Sequence, residues 1–195
     1  VNFQVFGLGG QRFEPEHLEG IGLFTMELLT KGTKARSKRE IAETIERLGG
    51  SLVSGSGRNT YYVSLSVLKE DSDAAVELLA DVLQNPSFPQ KEINKQRQDR
   101  LLAIRRLDEN WQTEVERLFR QTYYKQHPYQ NDLVGTEQAV QKIGRNEIER
   151  FYRQTVMPNN AVLAVFGDID PREIVAKVKS VLGKWQPGTL AKPFI

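Results

Sequence analysis

SLVSGSGRNTYYVSLSVL, Ser51–Leu68, is the stretch on which the fold class turns. Its second half, from Thr60, alternates: Tyr61, Val63, Leu65 and Val67 fall on one side, Tyr62, Ser64 and Ser66 on the other. That two-residue period belongs to a strand half-buried in a sheet. Ser51 to Gly55 reads as a shorter strand, and Gly55-Ser-Gly-Arg-Asn59 supplies the turn chemistry of an antiparallel hairpin. An apolar sheet face needs a cover, and the flanking sequence offers helices. Upstream, His17 to Leu29 sets Leu18, Ile21, Phe24, Leu28 and Leu29 at helical spacing and closes on Lys31-Gly32-Thr33. Ser37-Lys-Arg-Glu40 is a capping box, in which hydroxyl and carboxylate each satisfy an orphan N–H. The helix it starts carries Ile41, Ile45 and Leu48 and stops at Gly49-Gly50.

Downstream, Asp71 or Ser72 caps a helix through Leu83, with Ala75, Leu78, Leu79 and Val82 inward, and Asn85-Pro86 breaks it. Pro89 opens the longest helical stretch, to about Tyr124, with a bend expected near Asp108-Glu-Asn110. Thr136 caps a short helix to Ile143, and Arg145 to Thr155 is another. Ala161 to Phe166, AVLAVF, is apolar enough for a central strand, and Pro171 suits the first turn of a last helix ending at Leu182. Asn2 to Leu8 is a further strand, ended by Gly9-Gly10. Strands mixed with long helices, without regular βαβ alternation, predict an α+β fold. The expected form is a two-layer sandwich of a mostly antiparallel sheet with helices packed on it. Residues 1–186 read as one domain, and the Pro/Gly-rich 187–195 as an exit linker.

The chain has 195 residues, a net charge of +2 from 27 Lys+Arg against 25 Asp+Glu, and no cysteine. Balanced charge gives no general field for nucleic acid. Arg97, Arg100, Arg105 and Arg106 interleave with Glu92, Asp99, Asp108 and Glu109, the pattern of a solvated helix face. The lack of cysteine removes disulfides, zinc-thiolate sites and thiol catalysis together. His17 and His127 are the only histidines, too few for a His-rich metal centre. Gly7-Leu-Gly-Gly10 lacks the spacing of a phosphate loop, and Asp168 and Asp170 read as helix-capping residues rather than a magnesium site. No apolar run approaches the roughly 20 residues that span a bilayer. No signal-peptide pattern is visible either, and a start at Val1 reads as a mature product or an excised domain. The compartment stays open, with bacterial periplasm or cytoplasm favoured over the mitochondrion.

Several segments, taken in order, resemble one family. Gly20-Ile-Gly-Leu-Phe-Thr-Met-Glu-Leu-Leu-Thr-Lys-Gly-Thr33 is similar to the zinc-binding helix of the M16 metallopeptidases, the pitrilysin, insulinase and mitochondrial processing peptidase group. Ser37-Lys-Arg-Glu-Ile41, Ile45-Glu-Arg-Leu-Gly-Gly50, Asn85-Pro-Ser-Phe88, His127-Pro-Tyr129 and Met157-Pro-Asn-Asn160 follow in the family's order. So does Val165-Phe-Gly-Asp168, and the likeness covers nearly the whole chain. It implies the two-layer fold of the LuxS and processing-peptidase metallohydrolases.

The departures bear on function. The family binds zinc through an inverted H-x-x-E-H motif and a distal Glu, with the motif Glu acting as base on the metal-bound water. In this sequence the two His positions carry Leu23 and Glu27, and the base position carries Met26. The family's usual interval places the third ligand at or near Ala103, and the glutamate-rich turn before it has become Gln96-Arg97-Gln98. The resemblance therefore implies a domain that is not itself an enzyme and holds no cofactor. Its partner would be a zinc-bearing catalytic M16 half, in the same chain or a separate subunit, with which it encloses extended peptide. No nucleic acid and no membrane span are implied. By the same analogy 187–195 starts a connector to a second subdomain, and Val53, Ser54, Gly55 and Ser56 lie near the cleft and bind peptide by strand addition. Two alternatives stand beside this reading. One is a structural core subunit, like the M16-derived core proteins of respiratory complex III. The other is a hydrolase with a non-standard site.

Overall fold

The expected hairpin forms, and the sheet grows from it. In the computed structural model, which describes residues 1–107 and 109–194, β2 (Ser51–Ser56) pairs with β3 (Thr60–Ser66), with Val53 opposite Ser64. On the other side of β3 lies β1 (Asn2–Leu8), and beyond it β4 (Ala161–Phe166), so the order is β2-β3-β1-β4 with every pair antiparallel. The register sets Val5 opposite Val63 and Leu163, and Phe3 opposite Leu65 and Val165, so one face is apolar across β3, β1 and β4, while β2 adds Leu52, Ser54 and Ser56 to it.

The helices are α1 (Ile21–Leu29), α2 (Lys38–Arg47), α3 (Ser72–Gln84), α4 (Gln90–Leu107), α5 (Trp111–Tyr124), α6 (Glu137–Lys142), α7 (Arg145–Thr155) and α8 (Pro171–Leu182), of which α1, α2 and α3 lie against the strands, while α5 buries no residue. Phe3, Val63 and Leu65 of the sheet join Phe24 and Leu28 of α1, Leu79 and Leu83 of α3 and Ile148 of α7 in one core. Each such side chain contributes about 1.5–3 kcal/mol by leaving water. The α+β two-layer expectation is met. The Ser37 capping box is also formed: its Oγ accepts from Glu40 N–H at 3.3 Å, and a Glu40 carboxylate oxygen accepts from Ser37 N–H at 2.7 Å.

Four elements differ from expectation. AVLAVF is an edge strand, because β4 pairs only with β1; its outward Val162 and Phe166 stay 68% and 60% exposed. A run apolar on both sides does not distinguish a strand flanked by neighbours from one whose outer face awaits a cover. The first helix starts at Ile21 rather than His17, because His17 sits at φ 68° and Gly20 at φ 89°, left-handed conformations that a helix excludes. The long stretch after Pro89 is two helices, α4 and α5, with Asn110 capping the second by accepting from Gln112 and Thr113 N–H. Of the expected bend at 108–110, Asp108 lies outside the described residues. Residues 187–194 are irregular but docked: Asn159 and Gly188 exchange two hydrogen bonds, and Phe194 N–H donates to the Arg12 carbonyl at 2.7 Å. Ile195 lies outside the described residues. Among the described residues no helix is long and apolar enough to cross a membrane.

Candidate functional site

α1 lies beside β2, tied by the Ser54 hydroxyl, which donates to the Met26 carbonyl at 2.6 Å. Its N-terminus has no capping side chain of its own, since Gly20 occupies that position. Glu14 reaches in instead and accepts from Gly20 N–H at 2.9 Å and Gly22 N–H at 3.1 Å. Gly22 eases this approach, because a Cβ there would stand 3.0 Å from the Glu14 carboxylate and 3.3 Å from the Ser56 hydroxyl, tight contacts from which those side chains would have to shift. Enclosure of the Glu14 carboxyl pushes its pKa up to about 7, against the pull of those two backbone donors; the Glu19 charge adds to the rise and Arg100 opposes it.

Leu23 and Glu27, four residues apart, share one face of α1, and Met26 turns into the core. Across from them α4 presents Gln96 and Arg100, also four apart, and both donate to the same Glu27 carboxylate oxygen. The Arg100 side chain is only 3% exposed and its guanidinium lies over the Phe24 ring, 5.5 Å from the centroid. Burial draws the Arg100 pKa below its ordinary value, while the charges of Glu27 and Glu14 hold it up. Ala103 sits on α4 a turn beyond Arg100 and is exposed. The four positions singled out in the sequence thus lie on two helices joined by the Glu27–Arg100 pair.

The pairing of Arg100 and Gln96 with Glu27, and the reach of Glu14 to the start of α1, escaped the sequence reading. Arg100 was expected on a solvated face; it is buried, because α1 and its carboxylate lie against that side of α4. The available signal was the four-residue interval from Gln96 to Arg100, which puts two donors on one stripe. Arg97 also turns inward, donating to the Ile143 carbonyl at 2.7 Å, whereas Arg105 pairs with Glu137 near the surface.

β2 forms the sheet edge nearest α1, with one side unpaired in the β2-β3-β1-β4 order. Val53 is exposed, Ser54 is bound to Met26, Gly55 is buried, and the buried Ser56 hydroxyl has no partner among the described residues. Chemically, the α1–α4 junction is a closed ion pair: a guanidinium offers donors only, and the one carboxylate facing it is occupied. Among the described residues no group of three or more His, Cys, Asp or Glu side chains is placed to hold a metal ion.

Residues 3–137 match the insulinase family, peptidase family M16, and residues 142–194 match the peptidase M16 inactive domain. An uncharacterized zinc protease of Rickettsia bellii is 28% identical over 179 residues, covering 92% of this chain and 43% of that protein. A probable mitochondrial-processing peptidase subunit beta of Arabidopsis thaliana is 29% identical over 177 residues, covering 90% and 33%. The peptidase M16 inactive domain from Pseudomonas fluorescens superimposes with a TM-score of 0.91 at 20% identity, over all of this chain and 47% of that one. The chain spans less than half the length of these relatives.

Proposed function

We propose, from the premise that the chain belongs to the M16 (insulinase) peptidase family, that it is a non-catalytic peptidase-like domain. It pairs with a zinc-bearing catalytic M16 half and supplies wall and substrate contacts to a peptide-enclosing chamber. The Glu27–Arg100–Gln96 cluster carries this reading. A catalytic zinc needs three protein ligands and an open position for water. The corresponding positions are Leu23, Glu27 and Ala103, with Met26 where the base would stand. Leu and Ala have no donor atom, and the single carboxylate is held by a buried guanidinium. These residues do not suit zinc, so no hydrolytic step is assigned to them. Zinc belongs, on this reading, to the partner half, while the free edge of β2 at Val53, Ser54, Gly55 and Ser56 receives extended peptide by backbone pairing.

The test is to capture the protein with its partners from its host and assay peptide cleavage with and without the co-purifying chain. Cleavage is expected only with a partner that carries H-x-x-E-H. Stoichiometric zinc on the isolated chain, with turnover abolished by Glu27→Gln, overturns the proposal. For the β2 edge, a bound peptide is expected to lose affinity when its alternate backbone amides are N-methylated; equal binding of the methylated peptide removes the strand-addition reading.

A further inference from the structure

Two exposed surfaces of the molecule are apolar: the outward stripe of α5, with Trp111, Leu118 and Phe119, and the open sheet face, with Phe6, Tyr62 and Val162. A third has the opposite character. From the end of α1 into the first turn of α2, residues 31–39 hold five cations, Lys31, Lys34, Arg36, Lys38 and Arg39, and no acid. The chain as a whole carries only +2, so the remainder is negative overall. A balanced total conceals this local field.

The loop that displays these charges is tied down at every amide. From Thr33 to Ser37 each N–H is engaged: Thr33 with the Arg36 carbonyl, Lys34 with the Asn85 carbonyl, Ala35 and Arg36 with the Thr33 hydroxyl, and Ser37 with the Glu40 carboxylate. The Thr33 hydroxyl in turn donates to Asp81 at 2.7 Å. Ser87 N–H donates to the Gly32 carbonyl and fastens the loop to the segment before α4. Gly32, at φ 151°, eases that approach, since a Cβ there would stand 3.0 Å from both the Pro89 ring and the Ser87 hydroxyl.

Between the loop and the start of α4 runs a groove of about 530 Å³. Lys91 joins the five cations on its walls, and the one acid there is Glu92. Its apolar side chains are Ala35 and Pro89, too small to hold an apolar guest. Three of the cations are neutralised within the protein: Arg36 by Asp81 at 2.5 Å, Lys38 by Glu92 at 2.9 Å and Arg39 by Glu43 at 2.6 Å. Lys31, Lys34 and Lys91 have no ion pair among the described residues, and Lys34 and Lys91 are exposed.

The chemistry selects among anions. A phosphate is held by free backbone N–H groups in a turn or at a helix N-terminus. The amides of this loop are engaged, and Glu40 and Glu92 stand in the first turns of α2 and α4, where they already answer the positive helix ends. What remains is lysine, a compact charge on a flexible stem, which follows the carboxylates of an extended chain without demanding one fixed geometry. We propose that this groove is a docking surface for an acidic stretch of polypeptide, rich in Asp and Glu, held by Lys31, Lys34 and Lys91. None of Leu23, Met26, Glu27, Ala103 or the β2 residues Val53, Ser54, Gly55 and Ser56 lines it, so the inference stands apart from the non-catalytic reading.

The probe is a fluorescein-labelled Glu-Ser repeat peptide, titrated into the chain and followed by anisotropy, with a Lys-Ser repeat of equal length as control. Only the acidic peptide is expected to bind. Its affinity is expected to fall at least tenfold as ionic strength rises from about 0.01 to about 0.15 M, because the screening length shrinks from about 30 to about 8 Å. The triple variant Lys31→Gln, Lys34→Gln, Lys91→Gln is expected to bind at least tenfold more weakly, with circular dichroism confirming that it remains folded. Lys142→Gln, Lys184→Gln, Lys192→Gln removes the same charge from exposed sites away from the groove and is expected to leave binding nearly unchanged. Equal losses in the two triple variants trace binding to net charge and overturn the proposal. So does an absence of binding at low salt. Inorganic polyphosphate of matched charge that binds more tightly than the peptide, and is weakened by the groove variant, makes this a phosphate site and overturns the acidic-peptide assignment. A groove that binds no peptide in a protein that still restores cleavage with a catalytic half sinks this inference and leaves the proposed function standing.

Discussion

At the scale of single residues, the α1–α4 junction turns on one buried cation. Arg100 has been taken almost wholly out of water, and Glu27, about a third exposed, is the carboxylate paired with it. Removing one partner of such a pair strands the other. Glu27→Leu is expected to cost about 2–3 kcal/mol in urea unfolding, and adding Arg100→Met to recover most of that loss, since an apolar pair of similar volume replaces the ions at little net cost. Equal stability of the single and double variants would show that the loss does not come from a stranded Arg100. Glu14 gives a pH dependence of definite sign. Its folded pKa of about 7 lies above the ordinary glutamate value of 4.5, so between those values the folded state holds more protons than the unfolded one. Stability therefore falls as pH rises through that window, by on the order of 2 kcal/mol, and is highest on the acid side. Glu14→Gln, which keeps an acceptor for the α1 N-terminus, is expected to flatten the profile between pH 4.5 and 7; an unchanged slope in urea titrations assigns the effect elsewhere. The positions of Leu23, Met26 and Glu27 were legible in the sequence because they lie within one continuous segment. Arg100 was not, because its burial depends on a helix more than seventy residues away in sequence.

At the scale of elements, local chemistry predicted the boundaries wherever a cap or turn fixed them. Ser37, Thr136 and Asp170 each accept backbone N–H bonds at the helix starts expected of them. The start of α1 was misplaced because its cap comes from Glu14, outside the helix and across a turn. α5 was foreseen as helical, but its orientation was not: periodicity shows that an apolar stripe exists, not which way it faces. Its outward stripe predicts weak local stability in the isolated chain. In native-state hydrogen exchange, α5 amides are expected to exchange at least 100-fold faster than those of α3, where eight residues including Leu78, Leu79, Val82 and Leu83 are buried. Equal protection of the two helices means that something already covers α5.

At the scale of the whole molecule, the segment expected to be an exit linker instead ties distant parts together. Residues 187–194 bond to Asn159, Gln154 and Arg12, and the Phe194 ring meets His127 edge-on at 5.5 Å. Truncation after Gln186 is expected to lower stability by about 1–3 kcal/mol, from several hydrogen bonds worth about 0.5–1.5 kcal/mol each, partly replaced by water; an unchanged thermal midpoint would mean the segment is only draped on the surface. The sequence by itself determined the α+β class, the antiparallel hairpin, most helix limits, the lack of donor atoms at Leu23 and Ala103 and the lack of a basic group at Met26. Those follow from two- and 3.6-residue periods, caps and side-chain chemistry, all local properties. Tertiary structure alone decided that AVLAVF lies at an edge, that Arg100 closes on Glu27, and that α5 and the open sheet face are left uncovered. Each depends on which surfaces meet in space, and hydrophobic attraction has no direction that a linear pattern could record.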